Sequence, residues 1–127
     1  MTHSHQAQQL IDAARNRTAT TALTDKEPHL DIAVAYDIQA EVVQARIDSG
    51  HVIVGAKLGL TSVAKQKQMN VSEPLYGWLT SDMQIDTGAQ LACDTFIQPR
   101  CEPEIAFLLG SDLHGSHISA AHVLAAT

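Results

Sequence analysis

From residue 31 to residue 50 the apolar positions Ile32, Ala35, Tyr36, Val42, Val43 and Ile47 return at close to 3.6-residue spacing, between Asp31 as a cap and Gly50 as a stop. The pattern predicts a helix reaching about Ser49, with Tyr36 as a core aromatic. A shorter repeat of Leu10, Ile11, Ala13 and Ala14 predicts an amphipathic helix over residues 6–17, after a polar start in which His3 and His5 form an incidental pair. Residues 18–28, rich in Thr and charge, read as a connection. At Gly50 the period changes. His51-Val52-Ile53-Val54-Gly55-Ala56-Lys57-Leu58-Gly59-Leu60-Thr61 is a β-branched run and predicts a strand. Ser62 then caps a short helix to about Met69, and Pro74 leads into an aromatic strand with Tyr76 and Trp78 on one side. Residues 82–88 read as a hairpin or loop, and residues 91–97 as a strand. A further strand follows over residues 102–109, where alternation sets Glu102, Glu104, Ala106 and Leu108 on one face and Ile105, Phe107 and Leu109 on the other. Residues 112–117 form a turn, and Ser119 caps a last helix over residues 120–126.

Composition narrows this to one α+β domain over residues 1–127, helical to residue 50 and strand-rich from 51 onward. A chain of 127 residues, 45% hydrophobic, is long enough to bury a core without disulfides or a structural metal. With one Trp, two Tyr and two Phe, that core must be mostly aliphatic. Cys93 and Cys101 show no metal-ligand spacing and read as free thiols of a reducing cytoplasm. No apolar run approaches a membrane span and no leader precedes residue 6, so a cytoplasmic protein without a membrane partner is expected. The net charge of −6 sits in one half: residues 68–127 hold Arg100 against seven acidic residues. No basic stripe exists for a phosphate backbone, which argues against nucleic acid as a partner.

Two stretches carry candidate chemistry. Glu102 and Glu104 stand two residues apart at the mouth of an apolar run, and like charges so close need a compensating cation, met either by a divalent, oxygen-loving metal or by water and a neighbouring Lys or Arg on a solvent face. Lys57 lies between two glycines that let a ligand come close, and reads either as a partly desolvated lysine of an internal strand or as one that snorkels from an edge. His114, His117 and His122 lack a partner pattern for zinc and read as surface histidines.

Four blocks together resemble one family: Lys57-Leu58-Gly59-Leu60-Thr61-Ser62; Glu73-Pro74-Leu75-Tyr76-Gly77-Trp78-Leu79; Ile97-Gln98-Pro99-Arg100 with Glu102, Glu104 and Ile105-Ala106-Phe107; and Val123-Leu124-Ala125-Ala126-Thr127. It is the 2-keto-4-pentenoate hydratase and 4-oxalocrotonate decarboxylase family, within the fumarylacetoacetate hydrolase superfamily. The resemblance implies a helical N-terminal portion leading into a mixed β-roll or barrel, incomplete in this chain, and a Mg2+ or Mn2+ site of three acidic residues. Glu102 and Glu104 match the first two, and the third is expected beyond Thr127. It further implies Lys57 as the catalytic residue, Leu58, Leu60, Thr61, Leu75 and Tyr76 as the substrate pocket, and a 2-oxo or 2-hydroxy dienoic acid as substrate. A homo-oligomer or a hydratase–decarboxylase complex is the implied assembly. Hydratases of the family carry an aspartate where Leu75 stands. The Pro74-Leu75-Tyr76-Gly77 block looks like the decarboxylase branch, while the stretch from Ile97 to the end looks closer to the hydratases, so the resemblance implies a metal-dependent lyase that decarboxylates 4-oxalocrotonate, with a 2-keto-4-pentenoate hydratase and an inactive fragment needing a partner chain as the alternatives.

Overall fold

The computed structural model describes residues 4–127. Three helices precede the first strand: α1 (His5–Asn16), α2 (Leu23–Lys26) and α3 (Ile32–Asp48). Strand β1 (Ile53–Gly59), helix α4 (Val63–Gln68) and strand β2 (Leu75–Thr80) follow, with α5 (Ala120–Ala126) at the end. Two 3-10 turns, Ser81–Met83 and Cys93–Thr95, punctuate the remainder. His3 lies outside the described residues, and His5 opens α1.

Side-chain caps explain why the longer helices begin where they do. The Ser4 hydroxyl accepts from the Ala7 N–H, the Asp31 carboxylate from Ala33, and the Ser62 hydroxyl from Lys65. At α5 the Ser119 hydroxyl accepts from His122 N–H while His122 Nδ1 accepts from Ser119 N–H, a complete capping box. Arg17 ends α1 in the left-handed conformation, and its N–H caps the Ala13 and Ala14 carbonyls. Helix α2 falls in the stretch read as a connection. It has four residues and no side-chain cap, too little periodicity to register in sequence.

Helix α1 packs on α3, which in turn lies against β2. The two strands pair antiparallel, with Lys57 opposite Gly77, Leu58 opposite Tyr76 and Gly59 opposite Leu75, and the register slips between Ile53 and Gly55. The outer edge of β2 is covered by α3: Tyr76 N–H donates to Tyr36 Oη (3.3 Å), and Gln39 Nε2 donates to Tyr76 O (3.1 Å). Tyr36 stacks on Tyr76 with centroids 4.6 Å apart, and Trp78 meets Tyr76 edge-on at 5.9 Å, as strand alternation predicts. The end of α3 and the exit of β2 are joined by the ion pair of Arg46 with Asp82, which also has His51 Nδ1 3.9 Å away.

Four expectations are corrected. Residues 91–97 hold a 3-10 turn and no strand, and residues 102–109 run without regular structure. The two strands described pair with each other, so neither segment finds the ladder partner a strand requires. The predicted packing of Ile105, Phe107 and Leu109 is absent: they are exposed, Ile105 to 86%. Finally, the residue α3 buries is Ile38, outside the predicted stripe, whereas Ile32 and Ile47 near its ends stay exposed. Among the described residues the buried side chains are Ala7, Ile38, Thr80 and Ala126, and many large apolar groups face solvent.

Candidate functional site

Lys57 and the two glutamates meet. Lys57 Nζ donates to Glu102 Oε2 at 3.2 Å and forms a short ion pair with Glu104 Oε1, contacts that join positions 45 and 47 residues apart. The countercharge in the structure is thus a lysine, the neighbouring-cation alternative of the two. Hydrogen bonds to Glu104 and then Glu102 hold the Lys57 ammonium above its ordinary 10.5, outweighing a small desolvation effect, so the lysine stays charged. All three side chains are substantially open to water, which screens the pairs.

Pleating assigns the neighbours. Lys57 shares its face of the ladder with Gly55 and Gly59 on β1 and with Leu75, Gly77 and Leu79 on β2. Leu58 and Tyr76 lie on the opposite face with Ala56 and Trp78. Lys57 is therefore ringed by glycine: a Cβ added at Gly59 meets nothing within 4 Å, and one at Gly55 or Gly77 meets a single side-chain atom at 3.9 Å. Of the pocket residues expected from sequence, Leu75 stands on the lysine's side. Leu60 and Thr61 follow β1 in the connection to α4. Leu60 is left-handed (φ 54), and its carbonyl is held by Gln66 Nε2 at 2.8 Å. Alternation alone separates Leu58 from Lys57, and that signal was available in the sequence. Separating Tyr76 from Leu75 in relation to the lysine needs the register.

The donor set suits a hard divalent cation. Two carboxylates already converge on one cationic atom, and Mg2+ is commonly held by one or two carboxylates with waters and a substrate completing its shell. Among the described residues no cluster of three or more His, Cys, Asp or Glu forms a fuller cage. The three C-terminal histidines stay apart from this site. His114 Nε2 sits 3.6 Å from Asp112, and His122 is used in the α5 cap. A second cluster surrounds Asp82. Partial desolvation acts to raise its carboxyl, whereas the Thr80 hydroxyl and the Arg46 guanidinium act to lower it, and the net is below the ordinary 3.8. Thr80 Oγ1 has no hydrogen-bond partner of normal geometry, so Arg46 is the better-founded cause.

The chain is a homologue of proteins named 2-keto-4-pentenoate hydratase and 4-oxalocrotonate decarboxylase. It is 39% identical over 124 residues to a 2-hydroxyhexa-2,4-dienoate hydratase of Comamonas testosteroni, a match covering 96% of this chain and 47% of that protein. It is 41% identical over 110 residues to a 4-oxalocrotonate decarboxylase of a Pseudomonas species, covering 87% of this chain and 43% of the other. The chain thus spans about half the length of the relatives it matches. Among solved structures, the 4-oxalocrotonate decarboxylase of Pseudomonas putida G7 superposes with a TM-score of 0.58 at 38% identity, over 61% of this chain and 30% of that one. That enzyme was seen with calcium and acetate and, separately, with magnesium and adipate. No family model matches the chain. Among the described residues no helix is long and apolar enough to cross a membrane.

Proposed function

We propose that this chain contributes the lysine and two acidic metal ligands to a Mg2+-dependent lyase that decarboxylates 2-oxo-3-hexenedioate to 2-hydroxy-2,4-pentadienoate. The observation that carries the proposal is the convergence of Glu102 and Glu104 on Lys57 across more than forty residues of sequence. Loss of the far carboxylate breaks its carbon–carbon bond, and the electron pair passes through the conjugated chain to the 2-keto oxygen. Bound Mg2+ would supply Lewis-acid stabilisation of that oxygen and of the adjacent carboxylate. Lys57 places a charged donor there and delivers the proton that turns the oxyanion into the hydroxyl of the product. Leu75 provides an apolar wall for the departing carboxylate, which becomes neutral CO2 and gains nothing from an acid beside it. Its place on the lysine's face of the ladder supports that role. Glu102 and Glu104 hold the cation, without which two carboxylates would repel a dianionic substrate.

The 39% identity to a hydratase favours a second reading, in which water adds to a 2-hydroxy-2,4-dienoate at the same metal. Under either reading, strands completing the mixed roll, and the third acidic ligand, come from outside the described residues or from a partner chain, as a homo-oligomer or a hydratase–decarboxylase complex. The test supplies the protein and Mg2+ with each acid in turn. CO2 release from 2-oxo-3-hexenedioate supports the decarboxylase, and formation of a 4-hydroxy-2-oxo acid from the dienoate supports the hydratase. Turnover of neither refutes both. Glu104→Gln is expected to lower kcat/KM by at least about 100-fold, the order set by losing a charge-stabilising group.

A further inference from the structure

The geometry points to Lys57 as a placeholder for the metal: its ammonium occupies the ground between Glu102 and Glu104 that Mg2+ must take, and metal binding displaces it. This inference rests on the metal site proposed above and adds the order of events within it. One ammonium bridges both carboxylates, Glu102 at 3.2 Å and Glu104 more closely, and a cation bound by the same oxygens cannot coexist with it at that position. The competition is between one positive charge and two for the same pair of negative ones. Mg2+ carries the larger charge, and the displaced ammonium is rehydrated at little cost because the site is open.

The positions on the strand face directly beside the lysine carry no side chain. Its neighbours at two residues either way are Gly55 and Gly59, and its cross-strand partner is Gly77, so the four-carbon stem has room to swing. Displacement then has a second effect. A lysine bridging two glutamates has two of its three donors committed to them, whereas one released by the metal can turn all three to the oxygen of an incoming 2-oxo acid. The local charge changes in the same step. Two glutamates with one lysine sum to minus one, and the arriving dication brings the group to plus one, a field that attracts a dianion. Metal loading therefore precedes substrate.

Calorimetric titration with Mg2+ alone, at low ionic strength, tests this without reference to turnover. Removing the competitor in Lys57→Met is expected to tighten the Mg2+ Kd by on the order of three- to tenfold, the range for losing exposed ion pairs. Lys57→Arg, which keeps the charge, is expected to return the Kd towards the unsubstituted value, and added salt should narrow the gap. Lys57→Gln gives a second uncharged variant should Lys57→Met fail to fold. Equal or weaker Mg2+ binding by the uncharged variants overturns the placeholder role while leaving the metal site standing. No Mg2+ binding by any of these chains, or binding unchanged by Glu102→Gln and Glu104→Gln, overturns the metal site and the placeholder with it.

Discussion

Asp82→Asn offers the clearest test of how the helical portion is fastened to the ladder. Arg46 projects from the last turn of α3, where a cation also complements the helix dipole, and Asp82 lies in the 3-10 turn that leaves β2. The two side chains are 33% and 25% exposed, between the surface and interior cases. Exposed pairs contribute up to about 1 kcal/mol, whereas breaking a buried one costs 3–5, so the substitution is expected to cost about 1–2 kcal/mol. For a domain of this size that corresponds to roughly 3–8 °C in Tm. The sign of the pH dependence follows from the depressed Asp82 carboxyl. A group held below 3.8 in the folded state stabilises at pH above that value and loses its contribution as pH falls through the folded one. The groups facing it are Arg46, His51 and Thr80. Urea unfolding followed by the single tryptophan, Trp78, should show a gap between the parent chain and Asp82→Asn at pH 7 that shrinks below about pH 4. No gap at pH 7, or an equal gap at pH 3, would refute the reasoning.

Other expectations can be checked alongside it. Tyr36→Phe keeps the ring stacked on Tyr76 but removes the acceptor for the Tyr76 N–H, costing about 0.5–1 kcal/mol and speeding exchange of that amide in hydrogen–deuterium measurements. Ser119→Ala removes the hydroxyl side of the α5 capping box, with an expected loss of about 1 kcal/mol seen as faster amide exchange across residues 120–126.

Sequence reasoning succeeded where structure is decided locally. Asp31, Ser62 and Ser119 cap the helices predicted for them, because a cap needs only the two or three residues that follow it. The β-branched run after Gly50 became β1 since its partner, the aromatic strand, follows after one short helix. Residues 91–97 and 102–109 have the composition of strands and remain without a ladder, which shows that a strand is a property of two segments and not of one. The meeting of Lys57 with Glu102 and Glu104 was legible as a need for countercharge. Which side of β1 each pocket residue occupies was legible only in part, since Leu75 and Tyr76 are told apart by register and register depends on the partner strand.

The distance along the chain between Lys57 and its glutamates bears on how the molecule is made. Contacts within α3, or from Ser62 to Lys65, close loops of a few residues, while the lysine contacts close loops of 45 and 47. Loop closure grows costlier with length, and a screened ion pair is a poor reward for it. The site is thus expected to form after the individual helices, together with the other long-range contacts. A chain trapped early would keep its secondary structure and lack the one place where chemistry is proposed to happen, so helical content is a poor witness to whether this protein has been made correctly.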